Sequence, residues 1–141
     1  MNSVEVRVAD WHKDNRDIRR IREAVFIAEQ AIPAELEWDE DDLSAVHFLA
    51  VEGDYAVGTA RLLADGEIGR VSVLKDWRGL RVGDKLLQAV IAHASALGLH
   101  EQKLSAQVHA TAFYEHHGFR IVSGEFLEAG LPHVDMVRSP G

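Results

Sequence analysis

The spacing of apolar and polar positions changes several times along the chain, and each change predicts an element. Within residues 1–10, Val4, Val6 and Val8 alternate with Glu5 and Arg7, the period of a half-buried strand. Asp14-Asn15 offers a helix cap, and Ile18, Ile21, Val25 and Ala28 follow at helical spacing until Pro33 ends that helix or starts another. Glu35 to Asp42 holds six acids in eight residues and reads as a short helix or an exposed loop. Alternation from Val46 to Ala50, a Gly53-Asp54 turn, a return strand from Ala56 to Leu63, an Asp65-Gly66 turn and a strand through Ile68, Val71 and Val73 make an antiparallel meander.

The texture then shifts. Val82, Leu86, Leu87, Val90, Ile91, Ala94 and Leu97 form a helical stripe closed by Gly98. Lys103 to Val108 is a short strand and Ala110 to His117 a short helix stopped by Gly118. Phe119 to Phe126 and His133 to Val137 are the last two strands, joined by Ala129-Gly130-Leu131-Pro132. With no repeat, linker or boundary, the 141 residues read as one domain. Its class is α+β: helices packed on a mostly antiparallel sheet.

Composition narrows the chemistry. There is no cysteine, which excludes a disulfide framework, a thiolate nucleophile and a cysteine-based metal centre. A formal charge of −8 argues against nucleic acid as a partner and is compatible with a cationic substrate. No window is apolar enough to span a membrane or act as a secretory leader, so the expectation is a cytoplasmic protein without a membrane partner. The histidines at 109, 116 and 117 have no shared local geometry, and no metal site is expected from them.

The most informative stretch runs from Val71-Ser72-Val73 to Arg78-Gly79-Leu80-Arg81-Val82-Gly83-Asp84. A strand ends, a loop carrying arginines and glycines follows, and an apolar helix starts at once. Unpaired N–H groups and the positive end of the helix dipole make such a junction a phosphate cradle; a plain loop and helix start is the other reading. No Gly-Lys-Ser/Thr follows, so it is not a Walker loop, and the antiparallel strands before it do not fit a dinucleotide fold. A second element, Gln107 to Phe119, runs a strand into a short helix bearing Phe113 and Tyr114, which are either core aromatics or site residues.

Together these two elements resemble the GNAT superfamily of acyl-CoA-dependent N-acyltransferases, over essentially the whole chain. The superfamily's Arg/Gln-x-x-Gly-x-Gly/Ala signature corresponds to Arg78 to Gly83, with Arg81 in place of the middle glycine. Its Ala-x-x-x-Tyr-x-x-x-Gly-Phe element corresponds to Ala110, Tyr114, Gly118 and Phe119. A bacterial subgroup with a Phe-Ile-x-Glu-Gln segment before an acidic Glu-Trp-Asp stretch is also similar, through Phe26 to Gln30 and Glu37 to Asp39.

The resemblance implies acetyl-CoA as co-substrate and direct attack by an amine, with no enzyme nucleophile. It implies that Val71, Val73 and Gln107 line the pantetheine arm. Arg78, Gly79, Leu80, Arg81, Val82, Gly83 and Asp84 would surround the pyrophosphate. Tyr114 stands where the family has its general acid, and a backbone N–H near Val71 or Val73 would steady the carbonyl oxygen. Glu67 is the candidate base, with His47 and His133 as alternatives and an ordinary surface role for Glu67 also open. The acceptor pocket would be built from residues 29–42 and 127–133. The acidic run there either attracts an amine or is a solvated surface, and Arg16, Arg19, Arg20 and Arg22 either answer those acids or keep their helix soluble. The expected acceptor is a small-molecule amine. The alternatives are a protein or peptide lysine, or a non-catalytic acyl-CoA-binding module, in a monomer or homodimer.

Overall fold

A computed structural model describes residues 3–140. Strand β1 (Glu5–Ala9) is followed by helix α1 (Trp11–Arg22), which passes into a π-helical turn over Glu23–Glu29. A one-turn helix α2 (Ala34–Glu37) and a 3-10 turn (Glu40–Leu43) lead to the meander β2 (Val46–Glu52), β3 (Tyr55–Leu62) and β4 (Ile68–Val73). Helix α3 (Val82–Ala96), β5 (Gln102–Gln107), α4 (Thr111–His116), β6 (Arg120–Ile121), β7 (Phe126–Glu128) and β8 (Leu131–Arg138) complete the chain. The α+β class and the meander are as the pattern predicts.

The strands form two antiparallel sheets. One has the order β1-β2-β3-β4; in the other, β8 pairs with β5 on one side and with β6 and β7 on the other. Strand β2 is buried on both faces. Phe48 and Ala50 join the cluster under α3, with Val82, Leu86, Leu87 and Val90, while Leu49 joins Ile18 and Ile21 under α1. Burying each such side chain contributes roughly 1.5–3 kcal/mol. Helix α3 lies so close to β3 that a Cβ on Gly58 would sit 2.9 Å from Leu86 Cδ1 and 3.1 Å from the Ser72 carbonyl.

Four local expectations need correction. Helix α1 is capped by Asp10, whose side chain accepts from the His12 N–H, four residues before Asp14-Asn15. Asp14 is used instead to accept from Arg7 and from the Asp10 N–H. The stripe ends at Val25: the π-turn adds residues to its last turn, leaving Ala28 exposed and bringing Phe26 and Glu29 round to the interior cleft. The strand expected over Phe119 to Phe126 is broken, because Ser123 Oγ takes the Asp135 N–H at 2.8 Å in place of a backbone carbonyl. The last hairpin turns on Ala129-Gly130 alone, both at positive φ, with Leu131 and Pro132 already in β8.

The acidic run is not simply a solvated surface. Arg22 is 1% exposed, donates from Nε to Glu37 and from Nη1 to Asp42, both at 2.7 Å, and from Nη2 to the Glu37 carbonyl at 2.8 Å. Arg61 holds Asp39 and Asp42, and Arg70 holds Glu37 and Asp39. Arg22 also lies over the Trp38 ring, 5.0 Å from its centroid. Segment 37–42 is thus pinned to α1, β3 and β4 by three arginines.

Burial pushes the Asp42 carboxyl up, but hydrogen bonds and charge from Arg22 and Arg61 outweigh it and hold it below its ordinary value. The Arg61 hydrogen bond similarly holds Asp39 down. For Glu37 burial wins and the carboxyl is raised. Asp39 and Asp42 therefore stabilise the fold above the ordinary aspartate range, and that stability is lost as pH falls through their lowered values. Glu37 acts with the opposite sign. Arg22→Ala leaves Glu37 and Asp42 buried without their shared partner. A loss of about 3–5 kcal/mol in urea unfolding at neutral pH is the expected result; a loss below about 1 kcal/mol contradicts a buried network.

Candidate active site

Among the described residues one backbone bridge joins the two sheets, above a core that both share. Glu67 at the head of β4 and Lys103 in β5 form a parallel bridge, with the Lys103 N–H donating to the Gly66 carbonyl at 3.2 Å. Gly66 has φ +91°, and a Cβ there would lie 2.7 Å from the Glu101 carbonyl oxygen, so the junction admits only glycine. Beyond it, among the described residues, no ladder joins β4 to β5. The strands part like the prongs of a fork, leaving Val71 and Val73 on one prong and Ala106 and Gln107 on the other around one cleft of about 960 Å³.

A bulge helps open the fork. Thr59 pairs with Ser72 and Arg61 with Gly69, so β4 carries one extra residue. Arg70 sits in it with φ +53°. Its guanidinium reaches across to α2, donating to the Glu37 carbonyl from Nη2 at 3.1 Å and pairing with the Glu37 carboxylate at 3.1 Å. One residue therefore bends the strand and ties the opposing wall of the cleft to it.

Where the β4 prong ends, the chain turns into α3. Arg81 precedes the helix with φ +65° and ψ +20°, the left-handed conformation that glycine would adopt at no steric cost, and its side chain makes no cap bond. Arginine at the middle glycine of the signature has therefore kept the glycine conformation. Arg78, Gly79, Arg81, Val82, Gly83 and Asp84 all line the cleft; Leu80 does not. A Cβ on Gly83 would meet the Phe113 ring at 3.3 Å, so this glycine also lets α4 pack against the start of α3. Asp84 is engaged by His117 Nε2 at 2.7 Å.

The π-turn spans the open end of the fork. Glu29 accepts from Arg78 Nη1 and Nη2 at 2.6 and 2.7 Å, while Arg78 Nε donates to the Val73 carbonyl at 3.0 Å. The next residue, Gln30, accepts from Gln107 Nε2 at 2.8 Å through Oε1. Adjacent side chains of one turn thus hold the ends of both prongs.

Tyr114 lies half-buried against Phe113 and Phe119 with its edge on the cleft. Among the described residues its hydroxyl has no hydrogen-bond partner, and burial pushes its pKa up to about 12, so it stays protonated through the physiological range. Glu67 also lines the cleft; burial, then the charge of Asp65, raises its carboxyl. Both shifts favour the neutral, proton-carrying forms. Of the two alternative bases, His133 lines the cleft, with Nδ1 2.7 Å from the Leu131 carbonyl and Nε2 3.5 Å from Glu128. His47 does not. It is buried against Trp11, away from the cleft, with Nε2 2.8 Å from the Asp42 carbonyl, and burial lowers its pKa.

The residues the sequence left unassigned here are Arg70, Phe113 and the individual roles of Glu29 and Gln30. Nothing in the sequence pointed to Arg70: the arginines weighed against the acidic run all lie on α1, and among the described ion pairs only Arg22 of those four reaches it.

Comparisons with known proteins agree with this geometry. A family model described as an acetyltransferase (GNAT) domain matches residues 12–139. The chain is 38% identical over 135 residues to the uncharacterized N-acetyltransferase YjcF of Bacillus subtilis, covering 93% of this chain and 96% of that protein. Among solved structures it is similar to an acyl-CoA N-acyltransferase from Pseudomonas aeruginosa, with TM-score 0.86, 29% identity, and coverage of 97% of this chain and 100% of that one. Escherichia coli ElaA is similar at TM-score 0.86 and 30% identity, over 96% of this chain and 99% of that one.

Arg81→Gly tests the strained position directly. Relief of the left-handed penalty, offset by the greater freedom of glycine in the unfolded chain, leaves a gain of about 0.5–1 kcal/mol. The melting temperature is expected to rise by a few degrees; a fall shows that the Arg81 side chain contributes more than its backbone costs.

Proposed function

The chain belongs to the GNAT acetyltransferase family and is an acyltransferase, and from that premise we propose that it moves an acetyl group from acetyl-CoA to the primary amine of a small molecule. The observation that carries this reading is the shared cleft. A forked strand pair, an uncapped helix start and a protonated tyrosine all open onto it.

The residues present fit the donor. The first-turn N–H groups of α3 have no side-chain cap from Arg81 and would hold the pyrophosphate, with Arg78 and Arg81 beside them. The edge of Val71 and the N–H of Val73, whose carbonyl is taken by Arg78 Nε, would pair with the pantetheine amides as an added strand does, facing Gln107. Leu80 lies outside the cleft wall. The donor supplies an activated acyl carbon; the protein's part is to orient it and manage protons.

In this reading Glu67, whose raised pKa makes its ionised carboxylate the stronger proton acceptor, takes the proton from the acceptor ammonium. A backbone N–H by the bulge, near Val71, supports the carbonyl oxygen. Tyr114 Oη returns a proton to the departing sulfur. A small acceptor is favoured over a protein lysine because Phe26, Ile32, Leu36 and Arg70 wall that part of the cleft as a pocket. The cytoplasm is the proposed place of action; among the described residues no helix is long and apolar enough to cross a membrane.

Calorimetric titration with acetyl-CoA, followed by thiol release over a panel of small amines and a lysine peptide, tests the reading. No binding overturns it, and release with the peptide alone replaces the acceptor class. Tyr114→Phe removes one hydroxyl without a partner, so donor affinity and melting temperature should hold while kcat falls roughly 10²–10⁴-fold. A full-speed variant refutes the acid role. Gly83→Val should displace Phe113 as well as crowd the phosphate position. Calorimetry is expected to show loss of donor affinity, and unchanged affinity would refute the cradle.

A further inference from the structure

The double contact of the π-turn carries an inference that rests on the proposed donor site. Glu29 and Gln30 are consecutive, yet one is bound to the loop after β4 and the other to the end of β5. They occupy the groups that a donor would need. Arg78 is the arginine that opens the phosphate loop, and its two terminal nitrogens are turned onto Glu29. Gln107 spends its amide N–H on the Gln30 side-chain carbonyl, an amide-to-amide bond of the kind pantetheine would make. Glu29 also lines the cleft on the side bounded by Phe26, Leu36 and Arg70.

Of the other acids on this wall, Glu37 is buried and committed to Arg22 and Arg70, and Glu128 faces His133. Glu29 differs from Glu37 in how it is held. Among the described residues its one ion-pair partner is Arg78, the pair is about two-fifths exposed on each side, and that guanidinium is a group an incoming phosphate can engage with two N–H bonds. We propose that Glu29 is a binding residue for a cationic group of the acceptor other than the amine that Glu67 deprotonates, masked by Arg78 in the free protein and released when the donor's phosphate takes that arginine. The donor thereby converts a neutral ion pair into an acceptor site, and Gln30 leaves Gln107 in the same movement.

This predicts an effect opposite in sign to a structural strut. Removing the carboxylate removes a competitor for Arg78, so Glu29→Gln should bind acetyl-CoA roughly two- to five-fold more tightly, the range that a half-exposed ion pair sets. If Glu29 instead orients Arg78 for phosphate, using the outward N–H groups that remain, the same variant binds more weakly. Calorimetry with acetyl-CoA on both proteins, with melting temperatures to verify folding, decides between these; Glu29→Ala is the second variant and should shift in the same direction.

The acceptor half uses n-butylamine as a monocationic probe and CoA in place of acetyl-CoA, so that nothing turns over. Amide resonances along the π-turn should respond to the amine in the CoA-saturated protein, and at least ten-fold more weakly in its absence or in Glu29→Gln. Equal response with and without CoA, or unchanged or weaker acetyl-CoA affinity in Glu29→Gln, overturns the inference while leaving the proposed function standing. If the unaltered protein binds neither acetyl-CoA nor CoA, the proposed function falls and this inference with it.

Discussion

One parallel bridge, Glu67 to Lys103, governs the architecture. Two sheets that touched along a full ladder would leave no room between β4 and β5, and two that never touched would have no reason to be aligned. One backbone bridge at the root, with a core shared beneath both sheets, aligns the prongs and leaves no ladder between them. Normally an exposed sheet edge invites aggregation or must be covered; here it faces the cleft. The bulge at Arg70 and the tight turn at Gly66 follow from the same requirement, one bending β4 away and the other bringing its head close to the Glu101 carbonyl.

The two walls of the cleft are held by different forces. The wall formed by β3, β4 and α3 is packed by Phe48, Ala60, Leu62, Val82, Leu86 and Leu87 around Gly58, with no slack for α3 to shift. The opposing wall, residues 29–42, contains few core residues. Arg22, Arg61 and Arg70 hold it through carboxylates and carbonyls. An ionic network of this kind needs every partner. Removing one group leaves another charge stranded in a poor dielectric, whereas trimming an apolar side chain costs only its own contacts and a cavity.

Much of this was legible in the sequence because the apolar wall follows simple periods. The stripe from Val82 to Ala94, the meander and the Arg78–Gly83 loop are local patterns, and the folded chain keeps them. What escaped was set by pairings between distant residues. The fate of the acidic run depends on arginines up to 33 residues away, as with Arg70 and Glu37, and no window along the chain contains both. The π-turn leaves no periodic trace, since it differs from an α-helix by one residue per turn and Val25 and Ala28 still look aligned. The break after Ile121 turns on one serine hydroxyl replacing a carbonyl in the ladder, a substitution invisible in hydropathy. Within the site, Tyr114 and Glu67 do reach the same cleft, while His47, similar in composition terms to His133, is drawn into the arginine network instead.

The unequal construction of the walls has a consequence for descent. Any change in the apolar wall propagates through the shared core, so that wall can vary little among chains that keep the fold. Segment 29–42 is coupled to the core through Arg22 and Arg61 but presents Glu29, Gln30, Ile32 and Leu36 to the cleft, none of which pairs with those anchors. Residues facing the cleft can be exchanged while the anchors stay, so this wall of the cleft can change by drift without rebuilding the other. The charge network is then the hinge of diversification: it fixes where the variable wall stands and leaves open what that wall recognises.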